Sequence, residues 1–388
     1  MRLVTQTQDL QEALKSIEST DSFVTIDTEF LREETYRACL CLVQIAGSQT
    51  TLLIDALSPN LSLEPLFAFM KNDRILKVFH AARQDLEIFY HLMGEVPQAI
   101  FDTQIAAMAC GYGDQVGYET LVASIIGKKL DKSQQYSNWM QRPLSDRQLA
   151  YAGADVVYLR TIYSHLSEEL TKKQREHWIE DELAILKSDR TYQLDPEMMW
   201  LKLKLKNAQP HYLARLKAIA ALREEEAITR NIVRRRLISD DLLTEIACRN
   251  PSTVQALADI RGVPKTLAQG ELGQKVLEVM AKANALPKDE CPQLDLAQRG
   301  QKPPLGHVDL LRVLLKVKVE EHKVAEKLIA TTSDLEDFLL LKEMNPRHVL
   351  LHGWRYQVFG QEAWDIKEGK KGLALTGKGI KVVEARET

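Results

Sequence analysis

At 388 residues, with 45% hydrophobic and 27% charged side chains, the chain has room for two or three domains. Its ordinary globular composition excludes collagen-like, disordered and disulfide-miniprotein architectures. The net charge of −3 hides a split: residues 1–190 carry 19 basic against 27 acidic side chains, and the remaining 198 carry 32 against 27.

The opening residues, MRLVTQTQDLQEALKS, lack the basic patch and long apolar core of a signal peptide. Strands are expected at Phe23–Asp27, Cys39–Ile45 and Thr51–Ile54, the last two joined at Gly47 and Ser48 as an antiparallel pair. A helix over Leu63–Met70 precedes a buried strand at Ile75–Phe79. A helix over Arg83–Met93 follows, stopped by Gly94 and Pro97, and then a short strand at Ala99–Phe101. Helical patterns cover Thr103–Cys110, Tyr118–Ile126 and Ser145–Leu170, the last with Ser145 and Asp146 as its cap. Strands closed by helices indicate an α/β sandwich. From Pro196 onward the reading is helical: Trp200–Glu226, Thr229–Arg235, Asp240–Ala247, Ser252–Asp259 and Leu272–Ala285. A Pro/Gly-rich linker is expected at 287–306. Helices resume at Val308–Lys316, Ala325–Ile329, Ser333–Leu341 and Trp354–Phe359, and the Gly/Lys-rich residues from Ile366 to Thr388 read as a loosely ordered tail.

Cys39, Cys41, Cys110, Cys248 and Cys291 are odd in number and form no CxxC pair, so neither a disulfide framework nor a zinc finger is supported. Reduced thiols suggest the cytoplasm. No apolar run reaches the length of a membrane span, so no membrane partner is expected. No P-loop, dinucleotide fingerprint or nucleophile–His–Asp string is present.

Four acids and one phenol carry the chemistry. Asp27 and Glu29, at i and i+2 of a strand, point to one face. Two carboxylates side by side in an apolar strand repel and resist desolvation, and a cation would relieve both costs. Asp85 begins a helix after a buried strand, where the helix dipole alone would favour an acid. Tyr151 and Asp155 share a helix face at i, i+4, beside the small residues Ala152, Gly153 and Ala154. Such an oxygen set suits hard divalent cations.

The strings IDTEF, VFHAARQDLEIF and SNWMQRPLSDRQLAYAGADVVYL, in that order, resemble the three motifs of the Tyr-containing DEDD exonucleases, and more closely the ribonuclease D family. Trp139 and Arg142-Pro-Leu add to the likeness; Ala38, where the family would have proline, departs from it. The resemblance implies a ribonuclease H-like α/β exonuclease domain, a mixed sheet flanked by helices, over 1–190. Two small all-α HRDC-type domains would follow, over 200–287 and, diverged, over 303–386. It implies a 3′→5′ exoribonuclease that releases nucleoside 5′-monophosphates and matures tRNA 3′ ends, with RNA as partner, above all 3′-extended tRNA precursors. The protein is expected to be a monomer. Two Mg²⁺ or Mn²⁺ ions are implied. Asp27 would bridge them, Glu29 and Asp155 would complete the site of the ion that activates water, Asp85 would hold the second, and Tyr151 would orient the water.

Phe30 and Leu31, His80, Gln84 and Tyr136 are candidate contacts to the terminal bases, ribose or phosphate. Lys202, Lys204, Lys206, Arg234, Arg235 and Arg236 form a candidate RNA clamp, a pattern that a solvated charged face would equally produce. The acids are blind to the sugar, so a DNA exonuclease is the alternative enzyme. A dead nuclease fold that only binds RNA is the alternative outside catalysis, and the presence of all four acids and Tyr151 argues against it.

Overall fold

The computed structural model describes residues 1–131, 133–293, 302–377 and 379–385. The chain divides into two compact units. The first comprises Met1–Glu29, Leu40–Thr191 and Gln301–Thr388; the second comprises Phe30–Cys39 and Tyr192–Gly300.

The first unit opens with β1 (Arg2–Val4) and α1 (Thr7–Thr20), followed by β2 (Phe23–Leu31), β3 (Cys39–Ala46) and β4 (Thr51–Asp55). Then come α2 (Glu64–Met70), β5 (Leu76–Phe79), α3 (Arg83–Met93), β6 (Ile100–Asp102), α4 (Thr103–Cys110), α5 (Tyr118–Leu121), α6 (Asp146–Lys173) and α7 (Glu180–Lys187). The strands form one mixed sheet in the order β1-β4-β3-β2-β5-β6. β3 and β4 pair antiparallel, whereas β1–β4, β2–β5 and β5–β6 are parallel. β1 and α1 are additions to the sequence reading, although α1 buries Leu10, Ala13, Leu14 and Ile17 at ordinary helical spacing. Ser145 caps α6 in a full capping box with Gln148, which satisfies two backbone donors at its start.

The second unit carries α8 (Pro210–Arg230), α9 (Arg234–Leu237), α10 (Asp240–Arg249), α11 (Val254–Ala258), α12 (Lys265–Gln269) and α13 (Glu271–Asn284). The expected helix Trp200–Glu226 is two pieces, a 3₁₀ segment Pro196–Lys202 and then α8, because Pro210 suits the first turn of a helix and not its interior. The expected Thr229–Arg235 helix is broken at Asn231, whose φ of 49° ends α8 in the left-handed region. The core gathers Tyr212, Leu213, Leu216, Ile219, Leu243, Ile246, Leu257, Val276 and Met280. Within this unit the Tyr36 hydroxyl donates to Glu224 at 2.5 Å, and the Arg37 backbone N–H donates to Asn231.

The C-terminal part of the first unit holds α14 (Leu305–His322), α15 (Glu326–Ile329), α16 (Thr332–Leu340), α17 (Gly353–Arg355) and α18 (Gln361–Lys367). Of the expected linker 287–306, residues 294–301 lie outside the described residues. The expected loose tail is instead an antiparallel hairpin of β7 (Lys371–Thr376) and β8 (Gly379–Glu384), whose Leu373 and Val382 pack on the core. These helices share one core with α4, α6 and α7: Ala106, Ile162, Leu166, Leu170 and Trp178 pack with Leu311, Leu314, Phe338, Trp354 and Phe359. Gly111 is required at this junction. Its φ is +94°, and a Cβ there would collide with the Lys323 carbonyl oxygen.

Among the described residues no helix is long and apolar enough to cross a membrane, and none of the five cysteines is in a disulfide.

Candidate active site

β2 runs through the sheet between β3 and β5, and its alternation sends Asp27 and Glu29 to one face. α6 is fastened across that face. The Thr25 hydroxyl donates to the Val156 carbonyl at 2.7 Å, and Arg160 donates to the Phe23 and Ala46 carbonyls. Asp155 precedes Val156 and is thereby delivered to the strand. One carboxylate oxygen from each of Asp27, Glu29 and Asp155 lies within 4.8 Å of the others. Ala152 is fully buried, but Gly153 makes room for Met1, whose Sδ would lie 2.5 Å from a Cβ there.

Asp85 reaches the site by a different route. At the end of β5 the chain turns through Ala81, whose φ is +58°. Asp102 holds this turn by accepting the backbone N–H groups of Ala81 and Ala82, at 3.0 and 2.8 Å. α3 then starts with Asp85 in its first turn, buried, and the Thr28 hydroxyl donates to its carboxylate at 2.5 Å. Asp85 is not one of the three mutually close ligands, but its charge is felt by Glu29, and it feels the charge of Asp27.

The electrostatics of the site are those of acids kept from water and from counter-charge. Burial pushes the Asp27 carboxyl up to about 6. Burial, followed by the charges of Asp27, Asp155 and Asp85, pushes Glu29 up to about 10. Burial and Asp27 push Asp155 up to about 8, partly offset by the hydrogen bond from the Tyr151 phenol. Asp85 is raised well above the carboxylate range by burial and then by Asp27. Tyr151 is raised above the ordinary phenol value, first by burial and then by Asp155, Glu29 and Asp27. Among the described residues no cation lowers any of these carboxyls, and hard divalent ions fit such an oxygen donor set.

The other candidate contacts are spread out. Phe30 and Leu31, at the end of β2, are half-buried. His80 is half-buried, with Nδ1 3.0 Å from the Thr103 hydroxyl and its ring 5.6 Å from that of Tyr118. Gln84 is exposed, and Tyr136 is 92% exposed. In the second unit Lys202 and Lys204 are exposed. Lys206 pairs with Glu245, Arg235 with Asp240 and Arg236 with Glu34, whereas Arg234 is half-buried and pairs at 3.0 Å with the fully buried Glu224.

Two residues of the site are not among the expected ones, although Thr28 sits inside IDTEF. Thr28 lies on the opposite alternation of β2 from the acids and fixes Asp85. Tyr118 donates to the Ala154 carbonyl at 3.1 Å, beside Asp155, and its phenol is raised by burial, then by Asp155 and Asp27.

The 3′-5′ exonuclease family profile matches residues 1–171, and the HRDC domain profile matches residues 212–280. Ribonuclease D of Gluconacetobacter diazotrophicus is 45% identical over 383 residues, covering 99% of this chain and 97% of that protein. Ribonuclease D of Granulibacter bethesdensis is 44% identical, covering 98% of this chain and 96% of that protein. The crystal structure of Escherichia coli RNase D superposes with a TM-score of 0.81 at 27% identity, over 95% of this chain and 98% of that one.

Proposed function

The chain belongs to the ribonuclease D family of 3′→5′ exoribonucleases, and from that premise we propose that it removes nucleotides one at a time from RNA 3′ ends as nucleoside 5′-monophosphates, with two divalent cations in the Asp27 cluster. The observation that carries this reading is the convergence of Asp27, Glu29 and Asp155 within 4.8 Å, with no cation among the described residues lowering the Glu29 carboxyl. The family generally uses divalent metals, and Mg²⁺ or Mn²⁺ suits the all-oxygen set. When bound, such ions lower the pKa of water and stabilise charge on the attacking and leaving oxygens of a phosphodiester displacement. Asp27, Glu29 and Asp155 would hold the ions, and Asp85, steadied by Thr28, would serve beside them.

Tyr151 orients the attacking water. Its phenol is held protonated by burial and the surrounding acids, so in the metal-free site it is a hydrogen-bond donor and not a base. Phe30 and Leu31, following the acids on β2, are placed in sequence to pack on terminal bases, and His80, Gln84 and Tyr136 are assigned to phosphate or ribose. The exposed Lys202 and Lys204 track phosphates, while Lys206, Arg234, Arg235 and Arg236 are each paired with an acidic side chain.

The natural substrates are structured RNAs with short single-stranded 3′ extensions, tRNA precursors foremost, acted on in the cytoplasm by a monomer. The Escherichia coli relative is described as an exoribonuclease involved in structured RNA processing, which supports that choice.

The test is digestion of 5′-labelled RNA and matched DNA. RNA is expected to shorten stepwise from its 3′ end only with Mg²⁺ or Mn²⁺, and Asp27→Asn to lose about 10³-fold in rate. Full activity in excess chelator, or an undiminished variant, contradicts the metal assignment. Equal shortening of DNA contradicts RNA selectivity.

A further inference from the structure

The loop that precedes α6 is held by one guanidinium. All five N–H donors of Arg142 are used, which is the full inventory of an arginine. Nε donates to Asp55 Oδ2 at 2.8 Å and Nη2 donates to Asp55 Oδ1 at 2.6 Å. Nη2 also donates to the Cys41 carbonyl at 2.9 Å, and Nη1 donates to the carbonyls of Trp139 and Gln141 at 2.7 and 2.8 Å. Asp55, at the end of β4, is itself buried and accepts the Leu57 backbone N–H. Arg142 therefore ties the loop to β3 and β4, and it has no donor left for an RNA phosphate.

What the loop carries is Trp139. Its side chain is only 4% exposed, and its ring centroid lies 6.2 Å from that of Tyr151 at a tilt of 38°. The buried indole N–H has no hydrogen-bond partner among the described residues. Side-chain hydrogen bonding therefore does not locate the ring; its position follows from packing and from its own backbone, whose carbonyl Arg142 holds. The loop is also met by Gln148, which donates to the Ser137 hydroxyl at 3.3 Å, near the upper limit for a hydrogen bond, and by the Cys41 thiol, which lies 3.5 Å from Met140 Sδ.

We propose that the Asp55–Arg142 pair is a positioning element for catalysis: it sets Trp139 against the Tyr151 ring and so fixes the direction of the Tyr151 hydroxyl. The inference rests on the role given to Tyr151 above. It assigns Arg142 to geometry and not to substrate binding. A bidentate guanidinium–carboxylate pair suits this because its fork is planar and cannot swivel as an ammonium can.

The experiment is a double-mutant cycle on the full chain with short 5′-labelled single-stranded RNA and saturating Mg²⁺. It compares wild type, Arg142→Lys, Tyr151→Phe and the double variant. Arg142→Lys keeps the charge and loses the fork, so kcat is expected to fall about tenfold with KM within about twofold. In the Tyr151→Phe background the same change is expected to cost less than about twofold, because the group it positions is already gone. Losses that multiply overturn the proposal, as does a raised KM at unchanged kcat, which would make Arg142 an RNA contact. A wild-type kcat in Tyr151→Phe alone identifies failure of the Tyr151 reading itself. Asp55→Asn is run through the same cycle with the same expectation, and it decides the matter if Arg142→Lys does not fold.

Discussion

Two helical regions of similar sequence rhythm have opposite relations to the rest of the chain. α8–α13 close on their own core, built around Tyr212, Leu216, Leu243 and Val276. The helices from Leu305 onward have no such independence. Trp354 stacks on Trp178 at 4.2 Å and 6°, and the buried Arg355 pairs with Asp181 and Glu182 at 2.9 and 2.6 Å. The Ala325 backbone N–H donates to the Met108 carbonyl, and Arg175 donates to the His322 carbonyl. One region is a module, whereas the other is a wall of the exonuclease core. Helix periodicity reports that a face is apolar, not which core receives it.

The largest effect expected from this difference is on truncation. Ending the chain at residue 301 strips cover from Leu166, Leu170 and Trp178, each worth about 1.5–3 kcal/mol of burial. Such a chain is expected to be insoluble or to lack a cooperative melt, even though it keeps every acid of the site. The segment 192–293 alone is expected to give a helical, cooperatively melting product by circular dichroism. A stable, active 1–301 chain would break the comparison.

Single substitutions sharpen it. Trp354→Ala is expected to cost about 3–5 kcal/mol and to lower the transition that reports the exonuclease. Tyr212→Ala, in an equally buried position, is expected to cost a similar amount but to leave cleavage of short RNA within about twofold. Differential scanning calorimetry with a parallel activity assay separates the two.

How much of this was legible beforehand follows the range of the interactions. The Ser145 cap and the i, i+4 spacing of Tyr151 and Asp155 on one helix are local patterns and are found as expected, and the strand expected over Phe23–Asp27 is found but runs on to Leu31. Asp85 was visible as an acid after a strand, but its hold by Thr28, which is 57 residues away, has no local sign. Tyr118 is hidden for the same reason, since it meets the site only through the Ala154 carbonyl. The hairpin of β7 and β8 was masked by its Gly and Lys content; Leu373 and Val382 gain their place on the core, β7 against α18 just before it and β8 against α14.

The active site is the destabilising element within the unit that the C-terminal wall completes. Glu29, ordinarily ionised above about 4.5, titrates at about 10 in the folded metal-free chain. At low pH it is protonated in both states. As pH rises past the ordinary value the unfolded chain releases its proton and the folded chain does not, so stability falls with pH until about 10. In chelator, wild type is expected to lose melting temperature between pH 5 and 9. Glu29→Gln is expected to lose less, by about 2–4 °C for each kcal/mol relieved. A steeper loss in Glu29→Gln contradicts the raised carboxyl.

The smallest effect belongs to the modular region. Lys202→Ala with Lys204→Ala removes two exposed charges and is expected to leave the melting temperature within about 1 °C. The slope of log K against log salt for 3′-extended tRNA is expected to flatten by roughly 0.7–0.9 for each phosphate that the pair no longer neutralises. An unchanged slope removes both lysines from the RNA path.

The central claim, that α14–α18 belong to the core of the exonuclease while α8–α13 do not, is tested most directly by native-state hydrogen exchange on Trp354→Ala. Amides of α6 (Asp146–Lys173) and α14 (Leu305–His322) are expected to lose protection together, with α8 (Pro210–Arg230) unchanged. Loss confined to α14 with α6 fully protected, or loss that spreads equally to α8, would contradict it.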